Sequence, residues 1–96
     1  MRIEELRSKY RAVILQLAAK CHAENVRIFG SIVRGNAGPG SDIDFLVHFK
    51  PGASLLDEAA LDRELKELLG QPVDVIGDDA IRDEFRPFIM AEAVPL

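Results

Sequence analysis

Between Asp42 and Phe49 the chain alternates without a break. Ile43, Phe45, Val47 and Phe49 fall on one side, and Asp42, Asp44, Leu46 and His48 on the other. Successive side chains of an extended backbone point to opposite faces, so this stretch predicts a strand with an apolar face that needs a covering layer. The flanking sequence supplies one. Ile3, Leu6, Tyr10, Val13, Ile14 and Leu17 recur at the spacing of one helical face across residues 3–20.

Further elements follow from punctuation. Asn25 to Phe29 reads as a short strand, with Val26 and Ile28 on one side and Arg27 on the other. Gly30-Ser31 breaks it, and Ser31 is expected to cap a short helix running to about Gly35. Asn36-Ala37-Gly38-Pro39-Gly40 predicts a loop, and Lys50-Pro51-Gly52 a turn. Ser54 and Asp57 have the spacing of a capping box. The helix behind them should pack Leu55, Leu56, Ala59, Leu65, Leu68 and Leu69, and end at Gly70 with positive φ. Pro72 opens a third strand, Val73 to Ile76, and residues 81–94 read as helical with a new start at Pro87. The order α-β-α-β-α-β-α implies a small sheet flanked by helices, in the α/β or α+β class. With 96 residues and no repeat or linker, a single domain over 1–96 is expected.

Composition narrows the function classes. A content of 48% hydrophobic and 29% charged residues excludes disorder and fits a soluble protein. No apolar run approaches the roughly 20 residues of a membrane span. Met1 leads directly into Arg2, Glu4 and Glu5, with no secretory leader, and the single Cys21 allows no internal disulfide. A cytoplasmic location is the expectation. Residues 1–40 carry seven Lys/Arg against three Asp/Glu, whereas residues 41–96 carry five against thirteen. An acidic half argues against a polynucleotide partner, whose binding needs neutralised phosphates, and suits a metal site or a basic partner.

Three features point to chemistry. Gly30-Ser31 lies at a strand-to-helix junction, where a missing side chain lets backbone approach phosphate and Ser31 adds a hydroxyl. Asp42 and Asp44 share one strand face, with Cα atoms about 6.5–7 Å apart, which suits hard cations such as Mg²⁺. Asp74 lies between Val73 and Val75 in the next strand, an odd place for a charge without a partner. Paired acids beside a phosphate turn are what two-metal phosphoryl chemistry requires.

Gly30-Ser31, ten residues, then Asp42-Ile43-Asp44 resembles the signature of the minimal nucleotidyltransferases in the DNA polymerase β superfamily. Gly-Ser-Ile-Val-Arg-Gly at 30–35, Ser-Asp-Ile-Asp-Phe-Leu-Val at 41–47, Leu-Gly-Gln-Pro-Val-Asp-Val-Ile at 69–76 and Glu-Ala-Val-Pro-Leu at 92–96 extend the likeness over nearly the whole chain. The resemblance implies a polymerase β-like fold, two Mg²⁺ ions held by Asp42, Asp44 and Asp74, and ATP as substrate. It implies that Asp74 helps deprotonate the attacking hydroxyl and that Gly30 and Ser31 hold the β- and γ-phosphates, with Arg34 as a further phosphate contact. It also implies an MntA-like antitoxin that adenylylates a HEPN-domain ribonuclease toxin.

Blander readings stand beside these. Asp42 and Asp44 could be a cap and a surface charge, Asp74 a strand acid, and Arg34 a salt-bridging residue. His48 reads as a strand-end surface residue, His22 and Cys21 as boundary positions, and Arg7 and Arg11 as facing solvent or a partner. An EF-hand is excluded, since Leu46 and Ala53 stand where it needs ligands. A P-loop is excluded by Asn36-Ala37 in place of Lys-Ser/Thr. The competing functions are an antitoxin that only masks its toxin and a free-standing transferase acting on a small alcohol. A second copy of the chain is also open as a partner.

Overall fold

A computed structural model describes residues 1–96. Helix α1 runs through Ile3–Glu5, a π-helical stretch Leu6–Tyr10, and Arg11–Lys20. Strand β1 (Ala23–Phe29), helix α2 (Ser31–Arg34), strand β2 (Ile43–Phe49), helix α3 (Leu55–Leu69) and strand β3 (Val73–Gly77) follow. A 3₁₀ turn (Asp78–Ala80), helix α4 (Arg86–Glu92) and strand β4 (Val94–Pro95) complete the chain. The four strands form one mixed sheet in the order β3-β2-β1-β4. β1 is antiparallel to both β2 and β4, and β2 is parallel to β3 through the α3 crossover. This is the helix-flanked mixed sheet that the element order implies.

Most of the predicted stripe of α1 faces inward: Leu6, Ile14 and also Ala18 are buried, and Ile3, Tyr10 and Leu17 pack half-buried against the core. Val13 departs from it at 41% exposed, because the wider π-helical turn ahead of it carries the stripe onward there. Leu6, Ile14 and Ala18 meet Ile28, Ile43, Phe45 and Val47 of the sheet and Leu61, Leu65 and Leu69 of α3 in the main core. Here α3 departs from expectation. Leu55 and Leu56 are each 81% exposed, because the buried i, i+4 row starts at Leu61 and leaves the first turn pointing outward.

The capping of α3 is as the sequence predicts. The Asp57 N–H donates to Ser54 Oγ at 3.3 Å, and the Ser54 N–H to Asp57 Oδ2 at 2.9 Å. Gly70 ends the helix at φ 66°. β1 starts two residues earlier than expected and carries a bulge between Glu24 and Arg27, where Asn25 adopts φ 51°. Asn is among the few side chains that tolerate that conformation.

The second face of the sheet is not open along its length. Leu46 is fully buried with Phe29 and Ile81, and Ile76, Ile89 and Ala93 pack around them. The tail thus forms a partial second layer, but not as one long helix. Residues 83–85 make a turn, and α4 starts at Arg86 with Pro87 as its second residue. Pro is confined to the first turn because it lacks an N–H and crowds the preceding carbonyls. After α4 the chain re-enters the sheet, pairing Ile28 with Val94 and Arg27 with Pro95. The Leu96 N–H donates to the Val26 carbonyl at 3.1 Å, and Arg7 Nη2 to the Pro95 carbonyl at 2.6 Å. Arg7 is exposed, as expected, and in addition clamps β4 from the surface. No helix is long and apolar enough to cross a membrane.

Candidate active site

The antiparallel register sets Phe29 opposite Asp44, and the parallel register sets Asp44 beside Asp74. Asp44 thus lies on the sheet between the end of β1 and the start of β3. Gly30 follows Phe29 at φ 84°, ψ −156°, a conformation that is essentially glycine's alone. The same position is also crowded, since a Cβ on Gly30 would overlap Asp44 Oδ2 and force that carboxylate aside. The turn and the carboxylate are built against each other.

Asp42 precedes β2 and is exposed, Asp74 is exposed on β3, and Asp44 is half-buried. Burial is the main cause that pushes the Asp44 carboxyl up to about 6, and the charges of Asp74 and Asp42 push in the same direction. Arg34 opposes the rise and Glu92 adds to it. A half-buried carboxylate facing two more acids is a poor resting place for negative charge and a good one for a cation. The three residues offer only oxygen ligands, the set that Mg²⁺ favours, so they fit the metal. Their oxygens do not close to within 4.8 Å of one another as a triple.

Ser31 is the first residue of α2 rather than its cap. The N-cap position belongs to Gly30, because its φ is the one a serine would resist. The Val33 and Arg34 N–H groups donate to the Gly30 carbonyl, so α2 keeps these two donors for itself.

The residue missed by sequence reasoning is Glu92, at the end of α4. Its Oε2 accepts the Gly30 N–H at 2.7 Å and its Oε1 accepts Arg34 Nη1 at 2.6 Å. The only sequence signal was its place in Glu-Ala-Val-Pro-Leu. Phe29, Gly30, Arg34, Asp44, Phe88, Ile89 and Glu92 line an open cavity of about 520 Å³, within the size range of small-molecule sites. A cleft of about 410 Å³ beside Met1 and Val33 offers only Arg2 and Glu4 as charged groups and lacks this chemistry.

His48 shares the Asp44 face of β2 but belongs to a different network, walled off by Leu46. Its Nδ1 lies 2.9 Å from Asp78 Oδ1 and 3.9 Å from Asp79 Oδ2. The Asp78 hydrogen bond raises the imidazole pKa. Burial alone would raise the Asp78 pKa, but the bonds from His48 and Arg27 outweigh it and hold it low. His48, Asp78 and Asp79 are the one triple whose ligand atoms lie within 4.8 Å of one another. Because Arg27 Nη2 occupies Asp78 Oδ2 at 2.8 Å, this triple reads as an ion-pair network. His48 is therefore half-buried and bonded, not a simple surface residue.

The profile of the family described as nucleotidyltransferase domain matches residues 7–95. The protein of Methanocaldococcus jannaschii named "Putative protein adenylyltransferase MJ0435" is 39% identical over 94 residues, covering 98% of this chain and 97% of that one. Protein adenylyltransferase MntA of Thermococcus cleftensis is 33% identical over 92 residues, covering 96% and 93%. A solved structure called that of a "putative minimal nucleotidyltransferase" superposes with a TM-score of 0.86 at 42% identity, covering 100% of this chain and 97% of that one.

Proposed function

Because the chain belongs to the nucleotidyltransferase domain family, as a minimal member with the polymerase β-like fold, we propose that it transfers AMP from ATP to a hydroxyl of a partner protein in a Mg²⁺-dependent reaction. The partner in this reading is a HEPN ribonuclease toxin, for which the chain is the antitoxin. The observation that carries the proposal is the seat of Asp44, pressed against Gly30 and beside Asp74. A carboxylate placed there at a cost in repulsion serves a cation that holds phosphate. That relatives over nearly the full length are named protein adenylyltransferases supports a protein as acceptor.

In this reading Asp42 and Asp44 hold two Mg²⁺ ions and Asp74 completes the set. Bound Mg²⁺ would neutralise phosphate charge and favour the ionised hydroxyl. Gly30, Ser31 and Arg34 orient the β- and γ-phosphates so that the α-phosphorus faces the incoming oxygen. Asp74, exposed on β3, takes the hydroxyl proton as the new O–P bond forms and pyrophosphate leaves. Orientation of two substrates is worth about 7–11 kcal/mol when complete, and this small cavity has little wall to hold a second one. Phe88, 75% exposed at its rim, gives a docked protein an apolar foothold beside the reacting phosphate.

The test is to incubate the protein and its candidate toxin with Mg²⁺-ATP and weigh the intact chains. The expected result is a toxin heavier by one or more AMP units, with no label transferred to the domain alone or to small alcohols. A toxin that stays unmodified yet is silenced in a stable complex would refute transfer and establish masking.

A further inference from the structure

Glu92 has no role in the chemistry above, yet it makes the two shortest polar contacts in the cavity. Its carboxylate bridges the Gly30 N–H and the Arg34 guanidinium, the same two groups assigned to the phosphates. A carboxylate and a phosphate ask for the same donors, since both present paired anionic oxygens. We propose that Glu92 occupies the triphosphate seat of the free protein, so that nucleotide binds only by displacing it. This inference rests on the nucleotide reading of the site.

Three observations support displacement over a fixed structural tie. Gly30 is buried, and a buried N–H needs a partner at all times. Glu92 meets that need until a phosphate oxygen does. Glu92 lines the same cavity as Asp44 and repels its carboxylate, so its hold on the seat depends on those two donors alone. Moreover the Glu92 side chain lies in the open cavity and keeps 22% of its surface exposed, so it can turn out by side-chain rotation while Ile89, Ala93 and the β4 pairing stay in place.

The arrangement also sorts ligands. An anion that offers only one phosphate replaces what Glu92 gives and gains little. A triphosphate makes the same two bonds and adds further phosphate contacts along the turn and through the cations. Glu92 thus acts as a specificity-determining residue that sets a threshold against inorganic phosphate and nucleoside monophosphates.

Calorimetry with Mg²⁺-ATP on the full chain tests this, comparing wild type with E92Q and, as a charge control on the same segment, E84Q. Glutamine keeps a weak acceptor for Gly30 but loses its pairing with Arg34. Charge-assisted bonds of this kind imply binding about 3- to 30-fold tighter in E92Q, with E84Q within about twofold of wild type. The Gly30 amide resonance should differ between free wild type and free E92Q and converge when both hold Mg²⁺-ATP. Should E92Q fail to fold, E92D, too short to reach both donors, carries the same expectation. Binding by wild type with equal or weaker binding by the variant would overturn the displacement role while leaving the nucleotide site intact. No binding by wild type would overturn the nucleotide reading, and this inference with it.

Discussion

Replacing Asp44 by Asn should make the free protein more stable while abolishing its binding of Mg²⁺-ATP. The first effect follows from the carboxyl pKa, raised from 3.8 to about 6. Taken at face value the rise costs the folded, ionised form about 3 kcal/mol relative to the unfolded chain. Asp44 is only half-buried, so solvent screening reduces the cost to about 1–2 kcal/mol. The sign runs opposite to that of a salt-bridged acid. Between pH 4 and 6 the folded chain keeps a proton that the unfolded chain has released, so stability falls as pH rises through this window. Above about pH 7 the whole cost is in force. Asn does not titrate, so the advantage of the variant should be near zero at pH 4 and complete by pH 7. For a domain of this size it corresponds to a rise in Tm of about 5–10 °C at pH 7.5. Thermal melts followed by circular dichroism at pH 4, 5, 6 and 7.5 measure it directly. Added Mg²⁺ should raise the Tm of wild type and leave that of the variant unchanged. A variant that melts at or below wild type at pH 7.5, or with a difference independent of pH, would refute the claim that Asp44 is held in a site unfavourable to its own charge.

Gly30→Ala combines an unfavourable φ, worth about 1–3 kcal/mol, with an overlap on Asp44. It should lower Tm clearly and abolish Mg²⁺-ATP binding, read by melting and calorimetry. Ser54→Ala removes one half of the α3 capping box and should cost about 1 kcal/mol in urea unfolding, with nucleotide affinity unchanged. His48→Gln tests the second network. The folded imidazole pKa is raised by Asp78, so wild-type stability from this pair is fully present below about pH 6.5 and is lost as pH rises through the folded value. The stability gap between wild type and variant should therefore shrink from pH 6 to pH 9, and a constant gap would show that the pair does not titrate as described.

The candidate acids stand out in the sequence because they depend on local rules. One intervening residue predicts a shared face for Asp42 and Asp44, and a lone acid among valines marks Asp74, which the register sets beside Asp44. The Ser54–Asp57 cap and Gly70 stop were legible for the same reason. What was not legible depends on chain crossings. Glu92 reaches Gly30 and Arg34 only because β4 returns beside β1, and a two-residue strand containing Pro95 carries no alternation to announce it. Arg7 on the Pro95 carbonyl and His48 on Asp78 are likewise pairings set by the order of strands. The outward turn of Val13 has another origin. One π-helical stretch widens the turn ahead of Val13, and no single side chain in Leu6–Tyr10 declares it. Leu55 and Leu56 read as core by composition, but α3 meets the sheet only from Leu61 onward.

The fit of Gly30 against Asp44 also bears on how such a site can be lost. While Asp44 keeps its place, a side chain at position 30 would meet its carboxylate, so glycine is favoured there from outside as well as by its own backbone. Once Asp44 is replaced by a smaller residue, the external constraint disappears and drift at position 30 is opposed by the turn alone. A descendant that relaxes the turn and fixes a side chain at position 30 makes the way back longer, because a restored aspartate would then meet that side chain. Recovering the carboxylate in its seat then takes two substitutions instead of one, and the two positions change as a coupled pair.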